Sequence, residues 1–209
     1  MSSRAVHLDV ASDYSADAVV AALRRLMARR GVCHTIYSNC GTNFVGADAQ
    51  LRQLFAASHR EAQRMAHLVA GDKIRWRFNP PAALNFGGLW EAAVKSAKHH
   101  LRRLIGENRL TFEEMSTLLA QIESCLNSRP LAALSDDPAD LTALTPGHFL
   151  IGEPLLAIPE PSLSPEPASR LSRWRLLQQI KDHFWDRWSR EYLHSLAHRP
   201  KWTKQSEEI

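Results

Sequence analysis

Between residues 4 and 130 the chain alternates short stretches of two-residue hydrophobic period with longer stretches of helical period. This alternation constrains the fold more than any other feature. "RAVHLDV" (4–10), "CHTIYS" (33–38) and "KIRWRFNP" (73–80) read as strands. In the third, Ile74, Trp76 and Phe78 fall on one face, and Arg75 and Arg77 on the other. Ser15 is a plausible N-cap for a helix through "ADAVVAALRRLMARR", with Val19, Leu23, Leu26 and Met27 on one face and a stop at Gly31. "GTNFVGA" reads as a turn, and residues 48–68 as mostly helical. After Gly87–Gly88 comes an amphipathic helix, "LWEAAVKSAKHHLRRLIG". Thr111 and Glu114 form a capping box for "FEEMSTLLAQIESCLNSRP", which Pro130 ends. The order of elements predicts a mixed α/β core over residues 1–130.

Residues 131–168 are rich in Pro, Ser, Ala and Leu, with five prolines between Pro154 and Pro167. That composition predicts an extended Pro-rich linker or an arm lying along the surface. Residues 169–209 form a Trp-rich C-terminal segment, read as one long helix over 170–199. Trp174, Leu177, Ile180, Phe184, Trp188 and Tyr192 or Leu193 make a stripe at helical spacing, so this helix is expected to pack on a partner surface.

The net charge of +4 tilts mildly toward a polyanionic partner, and its placement matters more than its sum. The three cysteines, Cys33, Cys40 and Cys125, are odd in number and lack CxxC spacing. They suggest neither a disulfide framework nor a zinc ribbon. Cys33, His34 and Cys40 lack a fourth ligand at a useful spacing for zinc. No apolar run approaches the roughly 20 residues of a membrane span, so the expectation is a nuclear or cytoplasmic protein with no membrane partner.

Two stretches carry chemistry. "YSNCGTNF" takes the second strand into a tight polar turn. "FNPPAALNFGGLWEAAVKSAKHHLRR" places Glu91 in the first turn of a helix, with Lys95 and Lys98 four and seven residues later on the same face. The helix dipole alone would also favour an acid at that position.

Together with "RAVHLDV", "ALRRLMARRG", "LTFEEMSTLLAQIESCLNSRPL" and "LTPGHFLIG", these stretches resemble the integrase of BEL/Pao-type LTR retrotransposons. "LSRWRLLQQIKDHFWDRWSREYL" looks like the segment that follows the core in such elements. The resemblance runs in order along nearly the whole chain. It implies an RNase H-like integrase core lacking its first strands, then the Pro-rich linker and the long C-terminal helix.

The resemblance further implies a polynucleotidyl transferase ancestry, in which two aspartates and a glutamate hold two Mg²⁺ ions for in-line attack on phosphate. Glu91 matches the family's glutamate, the one carboxylate remaining here and the one vestigial metal ligand. Asn39 stands at the position of the second aspartate, and the first belongs on a strand upstream of residues 4–10. Mg²⁺ demands hard anionic oxygens, and an asparagine oxygen brings no charge. Leu84 and Asn85 also depart from the family pattern beside the glutamate. The chain is therefore expected to bind no Mg²⁺ productively and to catalyse nothing as it stands.

Lys95 and Lys98 match lysines that lie against the DNA end in related integrases. Arg102 continues that row, His99, His100 and Arg103 add to it, and Arg75 and Arg77 on the neighbouring strand extend the surface. The implied partner is DNA, held non-specifically through phosphates. Homo-oligomerisation through the exposed edge of "RAVHLDV" is a further expectation. Two alternatives stay open: a strand-transfer enzyme completed by upstream or partner sequence, and a domesticated protein-interaction module built on the Trp-rich helix.

Overall fold

Ser15 starts helix α1 (Ala16–Arg30) by accepting the Ala18 N–H on Oγ at 3.1 Å. Gly31 ends it at φ 84°, in the left-handed region where a Cβ is strained. The fold, a computed structural model, is described for residues 3–62, 74–79, 88–137, 139–155, 160–165, 167 and 171–197. Within these, side chains are described outside residues 55–62, 88–93, 96 and 197.

Strand β1 (Thr35–Ser38) pairs in parallel with β2 (Arg75–Phe78), in the register Thr35↔Arg75 to Ser38↔Phe78. A parallel pair needs a crossover, and helix α2 (Thr42–Ala62) lies on it. The predicted turn at 41–47 is in fact the start of this helix, six residues ahead of the expected boundary. The Gly41 carbonyl accepts the N–H groups of Phe44 and Val45, both at 3.0 Å, so winding begins at once. The expected continuation over 63–68 lies outside the described residues. Val20 of α1, Ala47 and Leu51 of α2, and Trp76 of β2 form the buried centre of this layer. α2 lies so close to α1 that a Cβ on Gly46 would sit 2.9 Å from the Ala16 Cβ.

A second core gathers helices α3 (Gly88–Ile105), α4 (Phe112–Asn127) and α6 (Arg173–Ala197). Between α4 and α6 come a short antiparallel pair, β3 (Ala132–Ala133) with β4 (Ala143–Leu144), and the one-turn helix α5 (His148–Ile151). The predicted capping box opens α4: Thr111 Oγ1 accepts the Glu114 N–H, and Glu114 Oε2 accepts the Thr111 N–H. Leu118, Ile122 and Leu126 of α4 meet Leu177, Ile180 and Phe184 of α6, all buried. The expected stripe on α6 thus buries only its middle, because Trp174 is 53% and Leu193 58% exposed. Residues 160–165 run along α6, where the Leu163 N–H donates to Asp182 Oδ2 at 3.1 Å and Gln179 Nε2 donates to the Leu163 carbonyl at 2.8 Å.

The predicted strand 4–10 belongs to no sheet among the described residues. Its backbone bonds run instead to side chains of α4. The Val6 N–H donates to Asn127 Oδ1 and Asn127 Nδ2 donates to the Val6 carbonyl, both at 2.8 Å. One helical turn earlier, Glu123 Oε2 accepts the Leu8 N–H at 2.8 Å. Period-2 alternation predicted a strand, but here a helix supplies the partners that a neighbouring strand would. Ion pairs then tie this segment and α4 to α1: Arg25 Nε to Asp9 Oδ2 at 2.7 Å, and Arg30 Nη2 to Glu123 Oε1 at 3.1 Å.

The architecture is mixed α and β, dominated by helix, with two small sheets among the described residues. Among those residues no helix is long and apolar enough to cross a membrane.

Candidate strand-end site and nucleic-acid interface

Asn39 follows β1 directly, and the strand end is fixed from below. Ser38 is buried, its hydroxyl accepting from Trp76 Nε1 at 2.8 Å and donating to the Asn39 carbonyl at 2.9 Å. The Asn79 N–H donates to the Ser38 carbonyl at 2.8 Å and carries the β1–β2 ladder one step further. Trp76 sits between Phe44 and Phe78, with ring centroids at 6.2 and 5.9 Å, so this end of the sheet is a packed aromatic floor.

Above that floor Asn39 is exposed, and its Oδ1 accepts the Gly41 N–H at 3.1 Å. This closes an Asx turn. A Cβ on Gly41 would meet Asn43 Oδ1 at 2.7 Å and Asn39 Oδ1 at 3.2 Å, so a larger residue there would require the Asn43 side chain to move. Cys40 is exposed and donates its thiol hydrogen to the Asn79 carbonyl at 3.1 Å.

Asn39 offers a metal ion a neutral oxygen in place of a carboxylate. That oxygen already accepts a backbone hydrogen bond. Among the described residues no group of three or more His, Cys, Asp or Glu side chains gathers to hold a metal. Glu91 lies in the first turn of α3, and its side chain falls outside the described residues, as do Leu84 and Asn85. Burial pushes the thiols of Cys33 and Cys125 up from the ordinary cysteine value, which favours the protonated form over a metal-binding thiolate.

The basic residues divide by helix face. Ala97 and His100 of α3 are buried, and Leu101, Leu104 and Ile105 pack on the second core. Lys95, Lys98, His99, Arg102 and Arg103 are exposed. Lys95, Lys98 and Arg102, spaced i, i+3 and i+7, therefore form one solvent-facing cationic row. His100, grouped by sequence with that row, points the other way. Its Nε2 lies 3.0 Å from Glu191 Oε2 of α6, and its ring meets the edge of Phe184 at 5.9 Å. The missed signal was the i, i+4 relation of His100 to Leu104, which puts both on the packed stripe.

Arg75 and Arg77 are exposed on the face of β2 opposite Trp76, as alternation predicts. Tyr37, 51% exposed, is the register partner of Arg77 and shares that face. Among the described residues, no hydrogen bond or ion pair joins the Asn39 turn or these arginines to α3.

Residues 172–209, covering α6 and the rest of the chain beyond it, match a family of unknown function (DUF5641). No curated protein and no solved structure matches the chain.

Proposed function

We propose that this chain is a nucleic-acid-binding protein derived from the integrase core of BEL/Pao-type retrotransposons, RNase H-like in ancestry and without a working Mg²⁺-dependent strand-transfer site. The observation that carries this reading is the row Lys95, Lys98 and Arg102, turned outward because the opposite face of α3 is packed on α6. A fixed row of cations on a rigid helix favours a polyanion. The parallel β1–β2 pair with a helical crossover, ending at the Asn39 turn, supports the ancestry. The neutral Asn39 supports the loss of metal chemistry. Arg75 and Arg77 would add contacts to the phosphate backbone, with little sequence preference.

Fluorescence anisotropy with a short DNA duplex tests the reading across a series of salt concentrations. Each phosphate contact removed lowers the slope of log K against log salt by roughly 0.9. Lys95→Ala combined with Lys98→Ala and Arg102→Ala is expected to weaken binding and flatten that slope by roughly 2–3. An unchanged slope overturns the reading, and Mg²⁺-dependent strand transfer by the purified chain overturns its second half.

One observation favours a second reading, an enzyme completed by another strand. The backbone N–H and C=O groups of His7 and Asp9 make no hydrogen bond among the described residues, so the edge facing away from Asn127 is open. The test is Asn39→Asp assayed with a longer or partner chain that supplies an aspartate-bearing strand. Persistent inactivity removes this reading. The same open edge makes self-association an expectation, and a monodisperse monomer in sedimentation counts against it.

A further inference from the structure

The extended segment 7–10, the last turns of α1 and one side of α4 enclose a cleft of about 410 Å³ that lies apart from the α3 row. We propose that this cleft binds a small monocarboxylate with an apolar body, independently of any nucleic-acid binding. Its volume falls in the range of small-ligand sites, roughly 300–1,000 Å³.

The charge balance selects the ligand class. Three arginines of α1 line the cleft, Arg25, Arg29 and Arg30. Arg25 is neutralised by Asp9 at 2.7 Å, and Arg30 by Glu123 at 3.1 Å. Arg29 also lines it, is exposed, and has no ion-pair partner among the described residues. One unbalanced guanidinium, presenting paired donors, matches one carboxylate. A phosphate dianion would bring a second negative charge toward Asp9 and Glu123 with no free cation to meet it.

Polar and apolar walls complete the fit. The hydroxyls of Ser116 and Ser124, on the α4 side, donate to no described group. His7 Nδ1 lies 3.0 Å from Glu123 Oε2 without the alignment of a hydrogen bond, and its buried Nε2 has no hydrogen-bond partner among the described residues. The two serine hydroxyls are the few polar groups that would orient a ligand. Leu8, Leu155 and Phe112 line the rest, and Phe112 is 59% exposed although it is a large aromatic. Covering that ring is what the apolar body would do.

The experiment is calorimetric titration of the full chain with 3-phenylpropionate, its neutral amide and phenyl phosphate. The carboxylate is expected to bind about tenfold or more tighter than the amide, because a charge-assisted hydrogen bond is lost. Arg29→Gln should weaken carboxylate binding about tenfold while the amide is unaffected. Ala120→Trp, an exposed helix position lining the cleft, should block both ligands. Circular dichroism checks that each variant is folded. Equal binding of acid and amide, or an unchanged Arg29→Gln, overturns the proposal. Tighter binding of phenyl phosphate overturns the monoanion assignment. Displacement of phenylpropionate by a DNA duplex would make the cleft part of a nucleic-acid surface and overturn its independence.

Discussion

The carboxamide of Asn127 pairs with both backbone groups of Val6, accepting its N–H and donating to its carbonyl at 2.8 Å each. The side chain is fully buried, and the Asn127 carbonyl also accepts the Gly147 N–H at 2.9 Å. One residue at the end of α4 thus holds the N-terminal segment and the turn before α5. Asn127→Ala would leave two backbone groups of Val6 without partners. The expected cost is about 2–4 kcal/mol, from two lost bonds and the desolvation of the groups left behind. Urea unfolding measures it, and amide exchange at Val6 should accelerate by the same factor if the assignment is right.

Arg173 fixes the start of α6 to the capping box of α4. Its Nε and Nη2 donate to the two Glu114 oxygens at 2.7 and 2.6 Å. These bonds, and after them the one from the Thr111 N–H, pull the Glu114 carboxyl down to about 2. A group whose folded value lies below its unfolded one stabilises at high pH and loses that contribution on acidification. The stability gap between the natural chain and Glu114→Gln should be full above about pH 5 and narrow as pH falls toward 2. A gap independent of pH in thermal melts would show that the ion pair contributes nothing.

Gly46→Ala sets two effects against each other. Helix propensity favours Ala by about 1 kcal/mol in the interior of α2. The new Cβ would lie 2.9 Å from the Ala16 Cβ, a short rigid group that cannot rotate away, and overpacking costs about 1–3 kcal/mol. The clash should win, giving net destabilisation of about 1 kcal/mol in denaturant unfolding. Stabilisation would mean that α1 and α2 are free to separate.

Phe184 is the largest side chain fully buried between α4 and α6, and it also carries the edge of His100 from α3. Phe184→Ala is expected to cost about 3–5 kcal/mol. Trp174→Ala, at a site 53% exposed, should change stability by less than about 0.5 kcal/mol. The contrast bears on the interaction-module alternative. Deleting α6 would remove half of a core, so partner binding through this helix is better probed with Trp174→Ala, checked by pull-down with folding confirmed.

Much of the local structure was legible because it depends on near neighbours. Ser15, the Thr111–Glu114 box and Gly31 act within one turn of their helices, so spacing alone located those ends. Alternation in 75–78 likewise separated Trp76 from Arg75 and Arg77. Thr42–Ala47 was misread because its winding depends on Gly41 offering one carbonyl to two N–H groups, which composition does not reveal.

At the candidate site, sequence alone determined that the neutral Asn39 stands in a polar turn after a strand, and that Lys95, Lys98 and Arg102 share a helix face. Identity and helical period suffice for both statements. Tertiary structure decided which way that face points, since only packing on α6 turns His100 inward and the cations outward. It also decided that residues 4–10, patterned as a strand, are held by Asn127 and Glu123 more than a hundred positions away. A period of two specifies an extended backbone with alternating faces. It does not specify whether a strand or a helix's side chains satisfy its hydrogen bonds, because that partner is chosen by the whole fold.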